Sequence, residues 1–164
     1  LTAILEGRRD GQGRLRFNLS GDDFDAALAD AGAEPADIGF VEAHGTGTAL
    51  GDQVEVLSTA LVYCAARRSR PLALSSVKSM IGHTFAAAGS AGVLRTILAL
   101  RHRTLPPTVG LGHLNPRLSL PALPARLITR SEPWTAAPGH PRRAGVSAFG
   151  TGGIDYHLLL EEAR

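Results

Sequence analysis

Two histidines and one lysine stand in turns where their side chains could do chemistry. His44 lies in "EAHGTGT" and His83 in "VKSMIGH", which also holds Lys78, the single lysine among seventeen basic residues. An imidazole can give or take a proton near neutral pH, and a neutral ring can donate one hydrogen bond to a carbonyl oxygen or an enolate. A third turn, "SAFGTGG", places Gly150, Gly152 and Gly153 around Thr151, a pattern able to aim backbone N–H groups at a developing oxyanion. Each turn follows an apolar run of strand length, and ligands of α/β sheets collect at the carboxyl ends of strands. His83 is expected at the start of a long helix, whose positive end disfavours imidazolium, so the ring is expected to be neutral near pH 7.

Other chemistries find little support. "GTGTALG" lacks the dinucleotide spacing, and Lys78 lacks the glycine frame of a phosphate loop. No H-x3-H pair or cysteine pair suggests zinc. Neither Ser90 nor Ser147 sits in a G-x-S-x-G elbow. His102, His113, His140 and His157 belong to no motif, and Cys64, in "VYCAARR", reads as a small buried hydrophobe on a helix.

The elements that must position these turns can be read along the chain. "LTAILEGR" is expected as a strand, followed by the turn "RDGQGR". "LSGDDFDAALADAGAEP" predicts a short amphipathic helix, capped by Ser20 or Asp22 and ended by Gly32 and Pro35. "IGFVEAH" predicts a strand. Asp52, three residues before Glu55, has capping-box spacing and predicts a helix over "QVEVLSTALVYCAARR". "RPLALSSV" and "ARLIT" read as strands, and "TFAAAGSAGVLRTILALRHR" as a long helix rich in small residues. "TLPPTVGLGHLNPRLSLPALP" is irregular. "RRAGVSAFG" and "IDYHLLLEE" read as paired strands joined by "TGG". Strands alternating with helices predict one α/β domain over 1–164.

Composition narrows the partners. Hydrophobic residues make up 44%, charged residues 20%, and the formal net charge is +2 with no run of like charge. Nucleic acid and acidic membranes are therefore not expected partners. No apolar stretch reaches the roughly 18 residues of a membrane span. One cysteine excludes an internal disulfide and fits a reducing cytoplasm. Leu1 in place of Met suggests a piece of a longer chain.

Together, "VEAHGTGTALGD", "SSVKSMIGHTFAAAGSAG", "LPPTVGLGHLNP", "PRRAGVSAFGTGG" and "HLLLEE" resemble the C-terminal half of a β-ketoacyl synthase, of the polyketide and polyunsaturated-fatty-acid synthase type. The likeness is strong over 41–164 and looser over 1–40. It implies a thiolase-like fold in which this chain is one half of a layered αβαβα architecture, a mixed sheet flanked by helices and usually dimeric. It also implies decarboxylative Claisen condensation: a cysteine takes an acyl group from an acyl carrier protein, and a malonyl-type extender loses carbon dioxide to give the attacking enolate. No cofactor is implied, the substrates riding on the carrier's phosphopantetheine. By this resemblance His44 and His83 assist decarboxylation and condensation, Lys78 organises the site's charge, and the Thr151 backbone N–H is an oxyanion donor. Thr46, Thr48, Gly150, Gly152 and Gly153 are expected to line the substrate.

The sequence departs from the family at three points. No nucleophilic cysteine segment is present, so a cysteine-bearing N-terminal half, in another chain or another segment, is an expected partner, in a homodimer or heterodimer. The isolated chain is expected to be inactive. "GTGGIDYH" replaces the family's G-F-G-G-T-N-x-H, with Thr151 where relatives have a gating phenylalanine, and Met80 stands where many relatives have Asn. These departures leave two alternatives open: a non-condensing subunit serving as a structural partner, chain-length-determining subunit or carrier-docking module, and a scaffold adapted to another acyl-thioester reaction.

Overall fold

The computed structural model describes residues 8–9, 15–16, 21–65, 67–118, 120–150 and 154–163. The strand expected over 1–8 lies almost wholly outside them, as do Ser20, Thr151, Gly152 and Gly153. The order is β1 (Arg8–Arg9), β2 (Leu15–Arg16), α1 (Gly21–Ala31), β3 (Ile38–Glu42), α2 (Gly51–Tyr63), β4 (Leu72–Ser75), α3 (Lys78–Ile81), α4 (Ala88–His102), β5 (Thr104–Leu105), β6 (Ala125–Leu127), β7 (Glu132–Pro133), β8 (Arg143–Gly150) and β9 (Ile154–Glu161). Short 3-10 turns lie between some of them.

The main sheet has the order β6-β4-β3-β8-β9. β6, β4, β3 and β8 run parallel, and β9 pairs antiparallel with β8 from Arg143↔Glu161 to Gly150↔Ile154. Because β3, β4 and β8 point the same way, their carboxyl ends meet at one edge of the sheet. That edge carries "EAH", "SSVK" and "AFG".

Both faces of the sheet are covered, which is why the parallel strands are nearly continuous apolar runs. On one face α1 and α2 bring Phe24, Leu28, Val62 and Tyr63 against Ile38, Val41, Leu72 and Leu74. On the other α4 brings Ala99 and Leu100 against Phe40, Ala73, Ala144 and Val146. Ile38 and Phe40 would share a face in a regular strand. The register of β3 against β8 shifts between them, which sends them to opposite cores. Gly39, at that irregularity, leaves room for Trp134, whose Nε1 lies 3.1 Å from where a Cβ would be.

Helix α1 ends as its sequence predicts. Gly32, at φ +55°, donates to the Ala29 carbonyl at 3.1 Å, and Ala33 donates to Leu28 at 3.0 Å, the paired bonds of a Schellman motif. The capping box expected at the start of α2 is not formed. Leu50 occupies the cap position with no side-chain bond, and Asp52 and Glu55 reach instead into the preceding loop. The helix expected from 84 starts at Ala88, after a 3-10 turn over Phe85–Ala87. His83 is therefore not on α4. Gly82 (φ +75°) ends α3, and Phe85 (φ +50°) turns the chain before α4 begins. Among the described residues, no helix is long and apolar enough to cross a membrane.

Candidate functional site

The carboxyl edge of the sheet brings His44, Lys78 and His83 together. His44 follows β3 by two residues. Its ring meets the His83 ring nearly at right angles, centroids 5.5 Å apart. The Phe149 N–H, near the end of β8, donates to His44 Nδ1 at 3.3 Å. The Phe85 N–H donates to His83 Nδ1 at 3.0 Å. In each ring Nδ1 is thus an acceptor, so the neutral tautomer carries its proton on Nε2. Backbone geometry, not the dipole of α4, fixes the tautomer of His83. Partial burial, with the positive charge of Lys78 and the nearby His83, pushes His44 down to about 4. His44 is therefore neutral at physiological pH.

Lys78 opens α3 and is half-buried. Burial lowers its pKa, while Glu55 and Glu42 oppose that shift. These two glutamates are the site residues that the sequence reading missed. Glu55, 5% exposed, accepts the His44 N–H at 2.6 Å and the Gly45 N–H at 2.8 Å. Burial raises it to about 7 against those bonds. Glu42, at the end of β3, accepts the Val77 N–H at 2.5 Å and pairs with Arg95 at 2.6 Å. Burial pushes its carboxyl up, and Arg95 pulls it back. The signal for Glu55 was present in the sequence: with Thr59, Val62 and Tyr63 it shares the buried face of α2.

The turn at His44 is tightly built. Gly45 has φ +47°, and a Cβ there would lie 2.8 Å from Ser76 Cβ, so both backbone freedom and the missing side chain are required. The Ser76 hydroxyl donates to the His44 and Gly45 carbonyls at 3.4 Å. Thr46 and Thr48 are exposed on the same loop, their hydroxyls 3.4 Å apart. Gly150 ends β8 at this edge. Thr151, Gly152 and Gly153 fall outside the described residues.

Other side chains lie elsewhere. Cys64 caps the C-terminal end of α2, nine residues beyond Glu55, or about 13 Å along the helix. It is half-buried, its Sγ 3.6 Å from the Pro124 carbonyl oxygen, and burial raises its thiol pKa, the opposite of what a nucleophile needs. His157 is enclosed by Tyr63, 2.5 Å from Nε2, and Ser147, 3.0 Å from Nδ1, and burial drives it down to about 3. It is a neutral core histidine.

Comparison with known proteins shows the family. The family model described as β-ketoacyl synthase, C-terminal domain, matches residues 10–112. The chain is 48% identical over 140 residues to the spectinabilin polyketide synthase system protein NorA' of Streptomyces orinoci. It is 46% identical over 137 residues to the erythronolide synthase EryA2 of Saccharopolyspora erythraea. These matches cover 85% and 84% of the chain but 4% of each relative. Among solved structures, the oxazolomycin ketosynthase domain OzmH KS7 of Streptomyces albus JA3453 aligns with TM-score 0.79 and 42% identity, over 88% of this chain and 26% of that one. Ketosynthase twelve of the bacillaene polyketide synthase of Bacillus amyloliquefaciens aligns with TM-score 0.82 and 31% identity, over 96% and 29%. With its mixed sheet, its helices on both faces and these matches, the chain belongs to the β-ketoacyl synthase family, as its C-terminal, thiolase-like domain.

Proposed function

We propose that this chain supplies the His–Lys–His half of a β-ketoacyl synthase that condenses an acyl thioester with a malonyl-type extender in polyketide biosynthesis. The observation that carries the reading is the pair of facing imidazoles, each with Nδ1 occupied by a backbone N–H. Two Nε2–H donors side by side suit one thioester carbonyl oxygen. As the malonyl carboxylate leaves as carbon dioxide, the electron pair of the broken C–C bond moves toward that oxygen. The two donors bond the enolate more strongly than the starting carbonyl, which is the condition for lowering the barrier. The enolate carbon then attacks the acyl carbonyl, and the cysteine thiolate departs. The nucleophile comes from a cysteine-bearing half outside these 164 residues, because Cys64 has the wrong place and the wrong pKa. Substrates arrive on an acyl carrier protein, and the Thr151 N–H is assigned to the oxyanion of the second step.

The test uses the assembled enzyme with its cysteine-bearing half. Carbon dioxide release from malonyl-carrier and acylation of the cysteine are expected, and His44→Ala and His83→Ala should each lower release by about 10²-fold or more. An assembly that neither releases carbon dioxide nor is acylated would replace this reading with a non-condensing, carrier-docking subunit.

A further inference from the structure

Glu42 occupies a position where a carboxylate is costly. It ends the strand "IGFVE", is 1% exposed, and faces α4, where Gly92 lies so close that a Cβ would stand 3.3 Å from Glu42 Cγ. Its charge partner Arg95 is 9% exposed. Desolvating such a pair costs several kcal/mol per ion, and a well-packed apolar pair in its place is often neutral or stabilising. The ion pair is therefore poorly explained as a source of stability.

Its bonds share one destination. Glu42 Oε1 takes the N–H of Val77, the residue before Lys78. Oε2 takes Arg95 Nη1, and Arg95 Nη2 donates to the Pro107 carbonyl. The next residue, Thr108, contacts the Ser76 N–H and the Ser75 hydroxyl through Oγ1, at 3.3 Å each. Both arms of the carboxylate thus return to the turn over 75–78, while Glu42 itself stands two residues before His44. We propose that Glu42, clamped by Arg95, is a positioning residue that fixes the Lys78-bearing turn against the His44-bearing strand end. The effect on turnover rests on the ketosynthase reading; the geometric role does not.

Lys78 is the only lysine of the chain, so its amine can be followed alone. The protein carrying this chain is labelled with limiting acetic anhydride across a pH series, and the peptide containing Lys78 is quantified by mass spectrometry. The double variant Glu42→Met/Arg95→Met removes both charges and the acceptor for Val77. It should unfold cooperatively at a temperature no lower than wild type. Its neutral Lys78 amine should nevertheless label several-fold faster, and kcat for carbon dioxide release from malonyl-carrier should fall about tenfold to a hundredfold with KM little changed. The control Glu42→Gln/Arg95→Met keeps an oxygen acceptor for Val77 and should label within about twofold of wild type, the range an intact turn allows. Wild-type labelling in the double variant, or equal acceleration in the control, overturns the proposal. Accelerated labelling in the double variant alone, with carbon dioxide release unchanged, upholds the positioning and overturns the ketosynthase reading instead. Should the double variant not fold, hydrogen exchange of the wild type decides. The Val77 amide should exchange as slowly as the amides of β3, and exchange at the rate of an exposed turn overturns the proposal.

Discussion

His44, Lys78 and His83 are held by groups that are unremarkable one at a time: two backbone N–H donors, two glutamates and a serine. Lys78 shows what this costs. Its ammonium is half-buried, a loss of hydration that the charges of Glu55 and Glu42 partly offset. Arginine brings a planar fork with five donors and no tendency to lose its proton. Lys78→Arg should therefore fold normally yet lower kcat for carbon dioxide release at least tenfold; full activity would remove the reason for a lysine here. Glu55 gives a prediction in pH. Its folded pKa is about 7 against an ordinary 4.5, so between these values the folded state keeps a proton that the unfolded chain has lost. Its contribution to stability is full below pH 4.5 and is lost as pH rises through 7, by at most ~3 kcal/mol at ~1.4 kcal/mol per unit. His44 acts in the opposite sense, since its folded pKa of about 4 lies below the ordinary 6.5, and it penalises folding as pH falls through that window. Glutamine mimics the protonated acid. The difference in Tm between Glu55→Gln and wild type should be flat below pH 4.5 and move in the variant's favour up to pH 7. A constant difference across that range would show that burial does not raise the Glu55 pKa.

At the scale of elements, α4 crosses β8 on its small residues. A Cβ at Gly92 would lie 3.2 Å from Val146 Cγ1 as well as close to Glu42, so propensity and packing oppose each other. Alanine adds about 1 kcal/mol of helix propensity, and overpacking costs typically 1–3 kcal/mol. Gly92→Ala should lower Tm by several degrees, and a rise in Tm would show that the crossing has room for a methyl group. The same crossing explains what the sequence could and could not disclose. The strands within "IGFVEAH" and "RPLALSSV", the body of the helix expected from 84 and the hairpin of β8 and β9 were legible, because each pairs an apolar period with a turn signal. The irregularity in β3 was not, since only pairing with β8 reveals that Ile38 and Phe40 part company. Glu55 was misread as a cap because its partners, the N–H groups of His44 and Gly45, lie outside the helix. His83 was placed on α4 because small residues continue the helical pattern back to 84, while the positive φ of Phe85 that breaks it leaves no mark in composition. The turns at His44 and Lys78 were legible, and helical spacing put Glu55 on the buried face of α2, but the backbone partners of Glu55 and Glu42, 11 and 35 residues away, have no local signature.

At the scale of the whole molecule, the described residues expose several large apolar side chains in rows. On α2, Leu50, Val54, Leu57 and Leu61 recur every three or four residues as one uncovered stripe. On the opposite side of the sheet, Leu94 and Leu98 of α4 are exposed, as are Met80, Ile81 and Phe85 beside the histidines, with Phe85 84% accessible. Contiguous apolar patches beyond a few hundred Å² mark interaction sites. The chain spans only 26% of the solved OzmH ketosynthase domain. Phe85 stacks on the His83 ring, so on the proposed ketosynthase reading a cysteine-bearing half would dock on this side of the sheet. The isolated 164-residue chain should accordingly self-associate in light scattering and enhance the fluorescence of a hydrophobic dye, and both signals should fall when the cysteine-bearing half is co-expressed. Leu94→Ser/Leu98→Ser should improve the solubility of the isolated chain and weaken that assembly at least tenfold, because each leucine withdrawn from water contributes roughly 1.5–3 kcal/mol. Leu57→Ser, on the far side of the sheet, should leave the assembly intact. A monodisperse, dye-silent monomer would mean that the exposed leucines need no partner, and the split-site reading would lose its physical ground.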